Sequence, residues 1–438
     1  MRNAFLGVAL GAFTVLVLCP RAEAAGALET LAPEIAHALG AVPAGTVVVV
    51  SPLASDLPAP KGDELAVRLG ALIAGKLGGT TRSHPQVAQL STARAVSGKG
   101  GGLVYVSVEI AKGELRASAD LYPVMSNGWD RIRVPAPPPR AHAFATTPLD
   151  AEARAFLPAI VLEQASIHKA RHDEGDVIAM ACGDVDADGG MELVLVSRAR
   201  VAMGHVRGGR FVAEKFAPWS HLAPRLPVSL REPLAGAEFQ PKAQGGGLFV
   251  GSSDRGGVSL DGNLVVRSSL RGIPMAVQGG DACATVTPEE SAYDGAVTSC
   301  SLMVRDKVAR MTPPAARFDA LGAADVVSPS GKIREIAVAR EPGGKLKMRL
   351  GDDERSIDGV GAQVAVGDLD QDGIPEVVTS MDGGEDAIAI TSWDGGEPRL
   401  RRRVSAPLGV RALAVCAPEV RGVPALVAVV ANEVWIVR

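Results

Sequence analysis

From about residue 165 to the C-terminus, the chain is a succession of short apolar runs separated by Gly, Asp, Pro and Ser clusters. Runs of four to eight apolar residues bounded by turn residues predict strands. One unit gives strands near 177–183, 192–198, 200–207 and 209–217, and another near 363–368, 376–381, 386–393 and 399–406. Between them, units at about 230–270, 271–313 and 314–358 keep β runs at 247–250, 264–267 and 336–338. A last unit has runs at 410–416, 423–430 and 434–437, one strand short of the others.

The first part of the chain has a different rhythm. Residues 28–39 have a helical pattern, and Val47-Val48-Val49-Val50 is a strand. Residues 63–77 place Leu65, Leu69, Leu72 and Ile73 on one helical face. A further helix is expected at 86–96, then a hairpin of 103–110 and 115–122 turning at Lys112-Gly113. The spacing predicts a small α/β domain over 26–134. Pro135-Ala136-Pro137-Pro138-Pro139 then marks a linker. A helix over 150–162 with Asp150 as its cap completes a connector spanning 135–164.

Within the β region an acidic loop occurs twice. One copy runs from Gly183 through Asp184, Asp186 and Asp188 to Glu192, and the other from Gly367 through Asp368, Asp370 and Asp372 to Glu376. Each has carboxylates at positions 1, 3, 5 and 9 and Gly at position 6. Hard cations such as Ca²⁺ require six to eight oxygens, which alternate Asp side chains in a tight loop supply. Packing four carboxylates into nine residues is repulsive without a cation. The bland alternative is two solvated acidic turns. The loops are not EF-hands, because they lie between apolar strand runs and lack Glu at position 12. Asp184 and Asp368 are 184 positions apart, four units of about 46 residues, the length of a four-stranded blade. A six-bladed β-propeller is predicted over 165–438, closed by a strand at 165–173 that completes the last blade. Seven blades is the alternative count.

Strand, Asp loop and strand together resemble the FG-GAP or VCBS repeat of integrin α-type propellers. The resemblance implies calcium at two sites. The implied ligands are Asp184, Asp186, Asp188, the Gly190 carbonyl and Glu192, and Asp368, Asp370, Asp372, the Ile374 carbonyl and Glu376. Glu at position 9 departs from the more usual Asp by one methylene. The succession of helices and strands in the first domain resembles the small α/β domain of TolB and of the curli-secretion lipoproteins. That match is one of pattern, without a chemical motif.

The N-terminus reads as a Sec-type signal peptide over 1–24, with Arg2, an apolar run over 4–18 and Ala22-Glu23-Ala24 before the cut. Cys19 offers a lipoprotein alternative, which Leu18 and Pro20 on either side weaken. No other segment is apolar and long enough to span a bilayer. A periplasmic or secreted protein is expected. Losing Arg2, Arg21 and Glu23 moves the net charge from -4 to -5, which argues against a nucleic-acid partner. Hydrophobic content is 47% and aromatic content 4%, so cores must be built from Val, Ala, Leu and Ile.

Four Cys follow the leader, and an even count in an exported chain suggests disulfides. Cys283 and Cys300 lie in neighbouring β runs, placed to pair across a hairpin. Cys182 and Cys416 occupy matching positions in the first and last units, which a closed ring makes neighbours. A bond between them and two buried free thiols both remain open.

Catalytic chemistry finds little support. The seven His fall in no metal or triad pattern, and no G-x-S-x-G string occurs. Gly70 to Lys76 has phosphate-loop spacing, but Leu77 replaces the needed hydroxyl residue and the segment is helical. Asp352, Asp353 and Glu354 read as a solvated turn. The expectation is a non-enzymatic calcium-binding propeller of the cell envelope that holds a protein or glycan partner. The alternative is a glycan hydrolase or lyase working in the channel.

Overall fold

The computed structural model describes residues 26–97, 101–124, 137–184, 190–226, 233–240, 247–278, 280–287, 291–302, 309–381, 383–416 and 424–438. The expected leader over 1–24 lies outside them, as do Asp186 and Asp188.

The first domain is an α/β sandwich. Helices Ala27–Leu39 and Gly62–Leu77 pack against a mixed sheet. Its strand order is Arg82–Ser83, Val47–Val50, Gly102–Ala111, Glu114–Pro123 and Ala141–Pro148, and Ala54–Ser55 also pairs with Gly102–Ala111. Leu28, Leu31 and Ile35 from one helix and Leu65, Leu69 and Ile73 from the other are fully buried against Val48, Val50, Val104 and Val106. Leu72 is only half-buried. Gly70 lies where an added Cβ would come within 2.9 Å of Val50 Cγ1, so the phosphate-loop-like glycine is a helix–strand packing site.

Three expectations here need correction. Ala141–Pro148 lies in the stretch read as linker, yet it pairs along its length with Glu114–Pro123 as the edge strand of this sheet. The helix expected over 150–162 is a single turn, Ala151–Arg154, followed by a 3-10 turn at Leu162–Gln164. Pro158 accounts for this, since it lacks an N–H and disfavours helix at Leu157. Asp150 does cap the turn, its Oδ1 accepting from the Ala153 N–H at 3.0 Å. The helix expected at 86–96 begins only at Leu90. The Ala88 N–H instead donates to the Val50 carbonyl, which keeps the residues after Pro85 extended.

The rest of the chain is mainly β, in a propeller-like arrangement of largely antiparallel sheets. Four are separate: Ala235–Gln240 to Val266–Ser269; Ile273–Pro274 to Arg317–Phe318; Ala320–Val327 to Asp353–Ile357, with Ala276–Val277 added; and Val360–Gly367 to Arg399–Ser405. The fifth has eight strands. It runs from Val410–Cys416 through Ala425–Val430, Glu433–Val437, Ile167–Arg171, Arg210–Pro218, Arg200–Arg207 and Glu192–Ser197 to Val177–Gly183.

Ile167–Arg171 pairs antiparallel with Glu433–Val437 over five residue pairs, the closing strand expected near 165–173. It touches Arg210–Pro218 through a single pair, Arg171 with Arg210. First strands pack in succession from Val177–Gly183 through Ala235–Gln240 to Ile273–Pro274, and from Ala320–Val327 through Val360–Gly367 to Val410–Cys416, which lies against Val177–Gly183. Among the strands next to these, Glu192–Ser197 and Ala425–Val430 are buried along their whole length. Val, Ala and Leu fill the spaces between sheets, as the low aromatic content requires.

Both disulfides form. Cys182 bonds Cys416, with Cα atoms 5.4 Å apart, and ties the two end strands of the eight-stranded sheet together. Cys283 bonds Cys300 locally, with Cα atoms 4.9 Å apart. No helix among the described residues is long and apolar enough to cross a membrane.

Candidate metal centre

The second Asp loop joins Val360–Gly367 to Glu376–Met381, beside a cavity that Asp368 and Gln371 help to line. Two residues of the loop have positive φ, Gln371 at 55° and Gly373 at 82°. At Gly373 the conformation and the crowding both demand glycine. An added Cβ would come within 2.6 Å of Pro329 Cδ and 2.9 Å of the Val327 carbonyl oxygen in the preceding sheet.

This turn brings three carboxylates together. Oxygens of Asp368, Asp370 and Glu376 all lie within 4.8 Å of one another. Two oxygens bound to one calcium at about 2.4 Å each can be at most roughly 5 Å apart, so the cluster is compatible with one ion. Asp370 and Glu376 are buried, at 4% and 0% exposure. Asp370 Oδ1 is buried with no hydrogen-bond partner. Its Oδ2 receives Arg401 Nη1 at 3.3 Å. Glu376 is held from two sides, its Oε2 accepting from the Leu369 N–H at 2.8 Å and its Oε1 from the Ser392 hydroxyl at 2.7 Å. Asp368 accepts from the N–H groups of Asp372 and Gly373 at 3.1 and 3.0 Å.

Asp372 stands apart from the cluster. Its Oδ1 accepts from the Ile374 N–H at 2.7 Å, so it stabilises the loop's own turn and would have to swing to become a ligand.

Without a cation the site is electrostatically uneasy. Burial pushes the Glu376 carboxyl up to about 9, and the Asp370 charge adds to the shift. Burial likewise raises Asp368 to about 7, against opposing hydrogen bonds. Asp370 is also raised, first by burial and then by the charge of Asp372, with Arg401 pulling the other way. A divalent ion would restore the charged forms.

The first loop is described only at its ends. Asp184 is exposed and Glu192 is buried. His205 Nε2 lies 3.6 Å from Glu192 Oε1, and its Nδ1 lies 3.2 Å from the Met191 carbonyl. The glycine before each loop has a structural reason. A Cβ on Gly183 would meet the Phe239 ring at 2.9 Å, and one on Gly367 would meet Val415 Cγ1 at 2.7 Å. Each glycine lets a side chain of another inner strand cross over the start of the loop.

Sequence reading did not pick out Arg401, Ser392, Gln371 or His205. Arg401 bridges Asp370 and Ser392 to Glu163 in the connector, which it meets at 2.6 Å. Gln371 Nε2 donates to the Leu149 carbonyl at 3.2 Å, so the loop touches the segment descending from the first domain. These partners lie far away in the chain, and no local motif announces them.

No known family profile matches the sequence, and no curated protein matches it. Three solved structures illustrate what a structural search returns. BBS1N in complex with ARL6DN is 11% identical, with a TM-score of 0.34 over 60% of this chain and 92% of that one. The RRP9 WD40 repeats are 10% identical, with a TM-score of 0.33 over 75% and 92%. The Dos1 propeller is 10% identical, with a TM-score of 0.33 over 76% and 77%. Similarity at this level carries no functional argument, and the architecture above stands on its own strand pairing.

Proposed function

We propose that this chain is an exported, non-enzymatic calcium-binding β-propeller of the FG-GAP/VCBS type, which holds a protein or glycan partner in the cell envelope. Six blades is the count that best accommodates the pairing. The eight-stranded sheet then divides at the single Arg171–Arg210 contact into a first blade and a last blade completed by Ile167–Arg171. The observation that carries the metal reading is the convergence of Asp368, Asp370 and Glu376 with a buried, unpartnered oxygen on Asp370. Calcium acts structurally here, fixing the turn between the first two strands of a blade. The matching Asp spacing at 184–192 supports a second ion. The α/β domain in front supports a layout similar to that of TolB.

Equilibrium dialysis of the metal-free protein against calcium tests this reading. Two ions per chain are expected, falling to one in Asp370→Ala and in Asp184→Ala. No bound calcium at millimolar concentration would refute it. Turnover on a panel of polysaccharides, abolished by substitutions in the channel, would instead support the hydrolase or lyase alternative.

A further inference from the structure

Arg401 is placed by an irregularity in its strand. Ile390 pairs with Arg402 and Thr391 with Leu400, so Arg401 is the extra residue of a β-bulge, without a partner in the ladder. A bulge breaks the alternation of faces and re-aims side chains. Leu400 is 58% exposed, whereas the Arg401 side chain is only 14% exposed. Arg401 and Arg402 both turn to the connector. Arg402 Nη1 donates to the carbonyls of Leu162 and Ala165, which flank Glu163.

The guanidinium of Arg401 divides itself between two acids. Its Nε and Nη2 donate to Glu163 Oε1 and Oε2 at 2.6 and 3.3 Å. Its Nη1 donates to Asp370 Oδ2 at 3.3 Å and to the Ser392 hydroxyl oxygen at 3.1 Å. That hydroxyl donates in turn to Glu376 Oε1. A chain of hydrogen bonds thus runs from Glu163 through Arg401 to two carboxylates of the candidate metal centre. The hydrogen bonds with Glu163 and the neighbouring Asp370 charge push the guanidinium pKa further up, so it stays positive.

A fixed positive charge here has the same consequence wherever an ion sits among Asp368, Asp370 and Glu376. In ion-free protein it offsets the repulsion among the carboxylates. Once a divalent ion is bound, it repels that ion. Both effects weaken binding. Calcium sites are tuned over orders of magnitude by the charge around them. Glu163 acts in the opposite sense, because it neutralises part of the Arg401 charge and draws the fork away from Asp370.

We propose that Arg401 is an internal rival of the cation at the second Asp loop, weakening calcium binding there, and that Glu163 sets how strongly it competes. This role rests on the calcium reading above, which it deepens by naming a residue that determines affinity. It also makes the connector a lever on the site. Lifting Leu162–Gln164 off the sheet frees Arg401 for Asp370 and weakens ion binding. By linkage, a bound ion leaves Arg401 to Glu163 and tightens the connector. An Arg401 that merely held Asp370 in place would have the reverse sign, since its loss would weaken binding.

Calorimetric titration of calcium into the full chain carrying Asp184→Ala, where only the second loop reports, tests the proposal. Relative to that parent, adding Arg401→Gln should tighten binding about tenfold, and adding Glu163→Gln should weaken it about threefold. Arg401→Lys keeps the charge and should stay close to the parent. Equal or weaker binding with Arg401→Gln would overturn the proposal while leaving the ion site standing. So would equal or tighter binding with Glu163→Gln, or Arg401→Lys binding as tightly as Arg401→Gln. Should Arg401→Gln fail to fold by circular dichroism, the sign of the change at the partly exposed Glu163 decides. Calcium binding by neither the parent nor its Arg401→Gln form would remove the ion site and this role together.

Discussion

At the scale of single residues, the Asp spacing was legible because a turn of nine residues is a local object. Three of the four carboxylates in the second loop converge as that spacing implies, while Asp372 spends itself on the loop's own backbone. The glycines before each loop were visible as letters but not as reasons, since the side chains that crowd them come from other sheets. Gly183→Ala and Gly367→Ala should each lower unfolding free energy by about 1–3 kcal/mol through overpacking. Chemical denaturation would show it, and unchanged midpoints would mean that Phe239 and Val415 yield freely. The raised carboxyls give a second expectation. Asp368 and Glu376 have folded pKa values above their unfolded ones, so in metal-free protein they stabilise at low pH. That contribution is complete below about pH 4 and is lost as pH rises through about 7 and about 9. A bound cation favours the ionised forms and reverses this. The rise in melting temperature produced by calcium should therefore be larger at pH 9 than at pH 6, measured by calorimetry on dialysed protein. An equal or smaller rise at pH 9 would count against these groups as ligands.

At the scale of elements, the strands of the β region were legible because each is a short apolar run between turn residues. Ala141–Pro148 was not, because its inward positions are only Ala143 and Ala145, while Phe144 on the outer face is exposed. The expected helix over 150–162 had the right composition and cap, and Pro158 stopped it. The closing strand at Ile167–Arg171 followed from counting, since the last unit lacked its fourth strand. Its neighbour in function is the Cys182–Cys416 bond, which spans 234 positions, against 17 for Cys283–Cys300. Loop-closure entropy grows with that separation. Cys182→Ser with Cys416→Ser should therefore destabilise by about 2–5 kcal/mol, and more than Cys283→Ser with Cys300→Ser. Parallel urea titrations of the two double variants would decide the order. The reverse order would mean that strand pairing alone holds the ring closed.

At the scale of the whole molecule, the succession of β units predicted a ring, and the pairing of the chain's last strand with Ile167–Arg171 bears out that logic. What the sequence concealed is the seam between the α/β domain and the loop-bearing end of the ring. It is built from backbone contacts and lone side chains. Asp150 accepts from the Ala27 N–H at 2.6 Å, and Glu152 meets Arg68 at 2.7 Å. Gln371 reaches Leu149, and Arg401 holds Glu163. The second Asp loop thus touches both its own blade and the connector, so an ion there would stabilise more than a turn. The central claim is that cations in the Asp loops are structural parts of the ring. Thermal unfolding of the protein in calcium and after chelation, repeated with Asp184→Ala and Asp368→Ala, tests it most directly. The account predicts a large stabilisation by calcium that shrinks in each variant. Melting curves that coincide in calcium and chelator would contradict it and leave the loops as ordinary acidic turns.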